Sequence, residues 1–302
     1  MSINDFPLSA PNHAGQPNDP ADVFFGDIDR LGPIISAQTN CNSARGRRNW
    51  TASRLAATLG GMLLGSLLGV GLAAFLENKS SLGNEWLWAM VAVGALAGAI
   101  LLAWIARPWE MCTLVGQKGL ALIKRRGQKV KQQTLLFEQA NQLRQKQTRV
   151  YYNGIYLGTN YFFDWLDQDG RRLFRIGGSY REKRKKPLPP SDLYYFALAA
   201  EEAWLRHRWP AVEEAIKRHA PVRFSVGRDD YLEVGDGYLE IKDGKKARRL
   251  ADADIEKVFL KEGKLIIKPR GGGWFSSYRI PSERIADLKL VLLLLERFMP
   301  QQ

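Results

Sequence analysis

Two long stretches without a charged residue constrain this chain more than any other feature. Residues 55–76 (LAATLGGMLLGSLLGVGLAAFL) and residues 86–106 contain no Asp, Glu, Lys, Arg or His. A bilayer core of about 30 Å is crossed by about 20 helical residues. Each stretch therefore predicts a transmembrane helix, because soluble core helices seldom omit every charge over this length. We expect a transmembrane hairpin over residues 51–109.

The flanks of the two stretches predict their orientation. The nine-residue connection 77–85 carries one Lys and two Glu, whereas basic residues lie on the other side of both stretches. The positive-inside rule then places both termini in the cytoplasm, so we expect a multi-pass protein of the cytoplasmic (inner) membrane. The residues behind this prediction are the basic Arg45, Arg47, Arg48, Arg54, Arg107, Lys118 and 124–126, with Trp86, Trp88, Trp104 and Trp109 as interfacial aromatics.

Small residues recur every fourth position in both predicted helices. They are Ala57, Gly61, Gly65, Gly69 and Ala73 in the first helix, and Gly94 and Gly98 in the second. Such a stripe lets helix backbones approach closely. It is consistent with packing of the two helices on each other, with a homo-oligomer built through the glycine face, or with a pore or transport-associated subunit. An ion relay has no candidate residue, because neither stretch contains an ionisable side chain.

The segment before the hairpin predicts a disordered cytoplasmic tail over residues 1–50. It is rich in Asn, Asp, Pro, Ser and Gly, it is near neutral, and it shows no sustained periodicity. The short apolar patch 23–25 is interpreted as part of that tail, with a docking motif as the alternative. Cys41 and Cys112 form no disulfide framework and no zinc-ligand spacing, which fits a reducing compartment.

The C-terminal part predicts two successive sets of strands, each followed by helix. Residues 110–220 contain short apolar runs with turn signals, a helix capped by Ser191, and an interruption of that helix at Pro210. Residues 221–302 contain further strands, the last at 274–280, and an apolar helix over 282–298. That helix is too short to span a bilayer.

Both sets resemble the pleckstrin-homology-like (PH-like) domains found beside bacterial membrane helices. The residues that carry the resemblance are 237–242 (GYLEIK), 250–255 (LADADI) and 263–267 (GKLII) in the second set, and 119–124 (GLALIK) with 175–176 in the first, the latter matching 279–280. The resemblance implies an α+β membrane protein in which the hairpin is followed by two bent antiparallel β-barrels, each capped by a helix. It also implies binding of lipids, peptides or partner proteins.

Positive charge is concentrated directly after the hairpin. Residues 112–186 hold 17 Lys and Arg against 5 Asp and Glu. A solvated surface, contact with anionic headgroups and nucleic-acid binding all fit this charge, and its place beside a membrane favours headgroups over nucleic acid. The candidate contact residues are Lys124, Arg125, Arg126, Lys129 and Lys131 on a hairpin tip, and Arg181, Lys183, Arg184, Lys185 and Lys186 on a linker.

The sequence offers no catalytic or metal site. His13, His207 and His219 have no nearby ligand-type residue at metal spacing, so we interpret them as ordinary surface histidines. Asp252 and Asp254 are read as turn residues. We therefore expect a non-enzymatic, membrane-anchored scaffold or sensor without metal or cofactor, which contacts anionic lipids and a protein partner. The alternative is the glycine-based pore or transport-associated subunit.

Overall fold

The computed structural model describes residues 5–6, 8–42, 45–77, 84–105, 109–181, 187–271 and 277–298. Within these residues lie a helical hairpin, antiparallel sheets and a C-terminal helix. The hairpin consists of α1 (Arg45–Glu77) and α2 (Asn84–Ile105). The predicted pair of helices is thus confirmed, and α1 begins ten residues before the apolar stretch. No helix is both long and apolar enough to cross a membrane, as far as the described residues extend.

Two β-sheets and one helix pack together as a folded unit, which we call the first unit. Its four-stranded sheet has the order β3-β4-β5-β6, and its three-stranded sheet has the order β7-β8-β9. Helix α3 packs against both sheets and closes the core. The elements are β3 (Ile34–Thr39), β4 (Glu110–Gly116), β5 (Gly119–Arg126), β6 (Lys129–Leu136), β7 (Gln142–Tyr152), β8 (Ile155–Leu166), β9 (Arg172–Tyr180) and α3 (Leu193–Lys217).

The helical hairpin is an insertion between two paired strands of this unit. Strand β3 precedes α1 and β4 follows α2, yet the two strands pair side by side, with Thr39 opposite Cys112. Asn40 closes the junction, because its amide donates to the Trp109 carbonyl at 3.0 Å and its Oδ1 accepts from the Met111 N–H at 2.7 Å. The predicted boundary at residue 110 is therefore wrong, since the first unit also includes chain that precedes the hairpin.

The described residues before the hairpin are folded, so the prediction of a disordered tail over 1–50 is wrong there. Besides β3, they form β1 (Asp5–Phe6) and β2 (Phe24–Phe25). Phe24 and Phe25 are buried on the outer face of the four-stranded sheet, against Leu114 and Ile123 among others. Both faces of that sheet are apolar, so the N-terminal segment is held there by burial of surface that water would otherwise cover.

The second unit repeats the architecture of the first. It has a four-stranded sheet in the order β10-β11-β12-β13, a three-stranded sheet in the order β14-β15-β16, and a closing helix. Gly119 and Gly237 both lead into the third strand, and Ile176 and Ile280 are both buried in the seventh. The elements are β10 (Val222–Val226), β11 (Asp230–Gly235), β12 (Tyr238–Asp243), β13 (Lys246–Ala251), β14 (Ile255–Lys261), β15 (Lys264–Pro269), β16 (Tyr278–Pro281) and α4 (Leu288–Phe298).

Helix α3 differs from its prediction at both marked positions. Asp192, not Ser191, caps it, because the Asp192 carboxylate accepts from the Tyr194 N–H at 2.9 Å. Pro210 lies inside the continuous helix. The N-terminal half of α3 packs in the first core and Trp209 and Val212 pack in the second, which offsets the hydrogen bond that proline removes. The predicted strand at 274–280 is described only from Tyr278, since 272–276 lie outside the described residues.

A buried aspartate joins the two units. Asp287 Oδ1 accepts from the Trp204 indole N–H at 2.7 Å and from the Leu143 N–H at 2.9 Å. The Asp287 N–H donates in turn to the Leu143 carbonyl at 2.8 Å. Asp287 is 6% exposed, and burial raises the pKa of its carboxyl. The acid thus connects β7, α3 and the start of α4 in one hydrogen-bonded joint.

Candidate functional site

The chain enters and leaves the helical hairpin at one end of the four-stranded sheet, which we call the anchor end. Strand β3 finishes there and β4 begins there. The turn between β5 and β6 lies at the same end, because Glu110 pairs with Arg125 and Arg126 pairs with Lys129. The cations that the sequence predicts on the tip of a β-hairpin therefore lie next to the end of the helical hairpin at which α1 begins and α2 ends.

Strand alternation sorts these cations onto two faces. Lys124 pairs with Lys131 and Arg126 pairs with Lys129, so these four side chains share one face, which we call the basic tip. Like charges directly opposite each other destabilise a strand pair. The three lysines are exposed, and none has an acidic partner within salt-bridge distance among the described residues. The arrangement is suited to an anion supplied from outside the chain.

The basic tip is attached directly to the end of the hairpin. The Arg126 guanidinium lies over the Trp109 ring, 5.6 Å from its centroid. Trp109 is partly exposed and stands four residues after the end of α2. This cation–π contact holds the tip close to the point at which the helix ends.

Arg125 does not belong to the basic tip, contrary to its predicted role. It occupies the opposite face of β5, where its Nε donates to Glu110 Oε2 at 2.6 Å. Its guanidinium also lies 4.2 Å from the centroid of the buried Phe25 ring. Arg125 therefore contributes its charge to the attachment of the N-terminal segment.

The second predicted cluster is described only at its start. Arg181 is exposed and follows directly after β9. Lys183, Arg184, Lys185 and Lys186 lie outside the described residues. The Tyr180 ring at the end of β9 packs 4.5 Å from the Tyr194 ring in the first turn of α3, so Arg181 lies near the N-terminal end of that helix.

The glycines of the predicted packing stripe face the partner helix of the same chain. A Cβ atom on Gly61 or Gly98 would collide with the other's backbone carbonyl, and Gly65 and Gly94 are related in the same way. A Cβ on Gly69 would lie 2.6 Å from the Met90 carbonyl oxygen. The side chains of Ala57 and Ala73 lie outside the described part. The seam is thus occupied within one hairpin, and a pore or homo-oligomer through the same face would require the hairpin to open.

Away from the seam, the described outer surface of the hairpin is apolar. Ser66 satisfies its own hydroxyl by donating to the Met62 carbonyl at 2.7 Å. The exposed large side chains are Leu59, Met62, Leu63, Leu64, Leu67, Leu68, Val70, Leu72 and Phe75 on α1, and Trp88, Val93, Leu96, Ile100 and Leu101 on α2. An apolar surface of this extent marks a contact with another apolar phase or partner.

The prediction of a surface histidine is wrong for His13. Its Nδ1 lies 2.8 Å from Ser36 Oγ and its Nε2 lies 2.9 Å from Thr113 Oγ1. Burial lowers the pKa of His13 to about 3, and the ring packs 5.0 Å from that of Phe196. No His, Cys, Asp or Glu cluster among the described residues could hold a metal ion. His13 therefore connects the N-terminal segment to β4 and α3.

A second cationic surface was not found from the sequence. On the outer face of the sheet β14-β15-β16, Phe259 lies beside Ile266, and Ile266 lies beside Arg279. Three further exposed cations surround this half-buried apolar centre, namely Lys257, Lys261 and Lys264. The bulge after Ile255 displaces the alternation by one residue, so the charges share a face that simple counting along the strand does not predict.

Comparison with known proteins adds no assignment to this geometry. The chain matches no protein-family model and no curated protein. The resemblance to PH-like domains therefore stays a prediction. The features of the molecule that bear on its function are the anchor end, the apolar hairpin and the two cationic surfaces.

Proposed function

We propose that this protein is a non-enzymatic scaffold or sensor anchored in the cytoplasmic membrane by its helical hairpin. One observation carries the proposal: the hairpin is inserted between paired strands so that the basic tip lies at its foot. At that position the basic tip contacts anionic headgroups. The second cationic surface, on the second unit, binds an acidic protein partner. Both units are assigned to the PH-like fold, because each has a four-stranded sheet, a three-stranded sheet and a helix in that order.

The outer surface of the hairpin supports a place in lipid. Leu67 and Leu68 are 69% and 74% exposed. Exposure of so many large apolar side chains would be unfavourable if the helix were surrounded by water. The helix backbones pack closely at Gly65 and Gly94. Helices in a bilayer associate through such close packing of small residues, because the hydrophobic effect does not act between them in lipid. The uncharged stretches 55–76 and 86–106 extend past the residues whose side chains are described. At their full length each has the roughly 20 residues that a bilayer core requires.

The position of the hairpin also supports an orientation. Both ends of the hairpin lie at the anchor end. This is required if two helices cross the membrane and the remainder of the chain stays on one side of it. The positive-inside rule makes that side the cytoplasm. Each cation of the basic tip near an anionic surface contributes about 1 kcal/mol, so the four together contribute about 4 kcal/mol at low salt.

Extraction of the full-length protein tests the anchor. The protein should stay with the membrane pellet after an alkaline carbonate wash, and it should enter solution only with detergent. Protease added outside spheroplasts should leave the two units intact, whereas permeabilised cells should lose them. Recovery of a detergent-free soluble monomer would refute the anchor.

Energy transfer in nanodiscs tests the headgroup contact. The full-length protein carries a donor dye at Gln128→Cys in a Cys41→Ser background, and the lipid headgroups carry the acceptor. Transfer should rise when phosphatidylglycerol replaces phosphatidylcholine, and it should fall as salt is added, because screening weakens the attraction.

Two charge-matched variants decide whether the basic tip is responsible. Replacing its four cations by Gln should remove the dependence on anionic lipid. Replacing the four cations of the second cationic surface by Gln makes the same charge change at a distance and should leave the dependence unaltered. Equal behaviour of the two variants would show that net charge alone acts. The variants replace Lys124, Arg126, Lys129 and Lys131, or Lys257, Lys261, Lys264 and Arg279.

A further inference from the structure

The strands β7 and β8 continue as a two-stranded arm beyond the edge of their sheet. Strand β9 pairs with β8 only as far as Thr159, which lies opposite Tyr180. Beyond that point Tyr151 pairs with Tyr156 and Tyr152 pairs with Ile155. The turn at Asn153 and Gly154 has φ angles of 46° and 78°, as a tight hairpin requires. Residues 150–157 thus form a short, well-defined projection, which we call the arm.

The arm exposes large apolar side chains. Tyr151, Tyr152, Ile155 and Leu157 are 56%, 67%, 61% and 47% exposed. None of them belongs to a core that the described residues form. Strand residues left this exposed would favour self-association in water, so an occupied surface is the expected use of the arm.

Contacts along α3 show in which direction the arm points. Strand β7 runs antiparallel to α3: Gln145 bonds Glu201 and Gln147 lies 3.2 Å from the Tyr194 hydroxyl. Tyr194 is in the first turn of α3. The arm therefore passes the N-terminus of α3, and its tip at Tyr152 lies about 17 Å further on, at about 3.3 Å per residue.

The anchor end lies in the same direction. At the far end of the four-stranded sheet, Phe137 packs 5.6 Å from the Trp204 ring of α3. Nearer the anchor end, His13 bonds Thr113 and packs against Phe196. The direction along the sheet towards the anchor end is therefore the same as the direction along α3 towards its N-terminus. The arm and the helical hairpin leave the first unit on the same side, away from the second unit.

We propose that the arm is a third membrane contact, which inserts its tyrosines and aliphatic side chains at the level of the lipid headgroups. The inference rests on the proposed function. Tyrosine suits this depth because its ring is apolar and its hydroxyl stays hydrated. The exposed Arg149 and Arg181 stand at the base of the arm, where they meet phosphate groups. Hairpin, basic tip and arm together fix the first unit against the bilayer at three points.

Spin labels on the full-length protein in phosphatidylcholine–phosphatidylglycerol nanodiscs test this contact. In a Cys41→Ser background, one variant carries Tyr152→Cys on the arm, one carries Leu67→Cys on the hairpin, and one carries Leu260→Cys. Leu260 is the control, because it is an apolar strand residue of the second unit that is also exposed, at 48% against 67% for Tyr152. The native Cys112 is fully buried and does not compete for the label. Accessibility to oxygen and to a water-soluble nickel complex gives the depth of each label.

We expect the label at 152 to have a higher oxygen-to-nickel ratio than the label at 260, and a lower ratio than the label at 67. A ratio at 152 equal to that at 260, with 67 deep in lipid, would overturn the arm proposal and leave the anchor intact. A water-exposed label at 67 would overturn the anchor itself. Dipolar broadening at 152 that persists in detergent would show that a second copy covers the arm, and would also overturn the proposal.

Discussion

Protonation of His13 should release the N-terminal segment from the first unit. In the folded chain its pKa is about 3, because burial disfavours the charged ring, whereas the ordinary value is 6.5. Between these two values the unfolded segment binds a proton that the folded one does not, so stability falls as the pH falls. Well below pH 6.5 the loss is about 1.4 kcal/mol per pH unit, and because the unfolded ring is only half protonated at pH 6.5, the loss from pH 6.5 to pH 4.5 is about 2.3 kcal/mol.

Hydrogen exchange measured by mass spectrometry on the nanodisc-bound protein can follow this opening. After correction for intrinsic exchange, the opening free energy of peptides within residues 22–39 should decrease with that slope. His13→Gln should lower it at neutral pH, because one hydrogen bond is lost, but should make it nearly independent of pH. Peptides from β14 and β15 serve as the internal control. An unchanged slope in the variant would show that another group titrates and would refute the reasoning.

Three further perturbations follow from the packing. Gly65→Ala should open the helical hairpin, seen as loss of a short-range distance between labelled helices, whereas Gly60→Ala should not, since no atom of the described residues lies within 4 Å of a Cβ there. Asp287→Ala should reduce the free energy of unfolding of the joint by about 2–5 kcal/mol, because the Trp204 and Leu143 N–H groups lose their acceptor, and calorimetry should then resolve two transitions. Phe25→Ala should cost about 3–5 kcal/mol in chemical denaturation, and no measurable loss would restore the disordered-tail interpretation.

The features that could be predicted from the sequence are those with strong local signals. The absence of charge over residues 55–76 and 86–106 identified the helical hairpin, and glycine-containing turns identified most strands. The cations at 124–131 were correctly placed on a hairpin tip. Each of these features depends on residues close together in the chain, so periodicity and turn chemistry suffice.

The covering of the sheet by the N-terminal segment was missed, although one signal could have predicted it. Leu120–Ile123 is apolar at four consecutive positions, not alternate ones, and Cys112–Val115 is interrupted only by Thr113. A strand of that kind is buried on both faces. Helix α3 covers only one face, so a second apolar segment had to exist. The patch at 23–25 was the remaining candidate before the hairpin.

The role of Arg125 shows the same limit at the level of one residue. Three consecutive basic residues look equivalent in a list of charges, but a strand turns each successive side chain to the opposite face. Lys124 and Arg126 therefore point away from the N-terminal segment, and Arg125 points towards it. Register decides which charges are available to a ligand, and register depends on pairing partners distant in sequence.

The insertion of the helical hairpin between β3 and β4 couples the packing of its helices to the fold of the first unit. Strand β3 pairs with β4 across the whole length of α1 and α2, and such a long closure is entropically costly for an open chain. Antiparallel packing of the two helices removes that cost, because it returns Trp109 to hydrogen-bonding distance of Asn40. The glycine seam thus assists the pairing of β3, and with it the burial of Phe25 and His13 that completes the sheet. A substitution at Gly65 should consequently raise hydrogen exchange in β3, far from the altered residue, and normal protection of β3 in an opened hairpin would separate the two events.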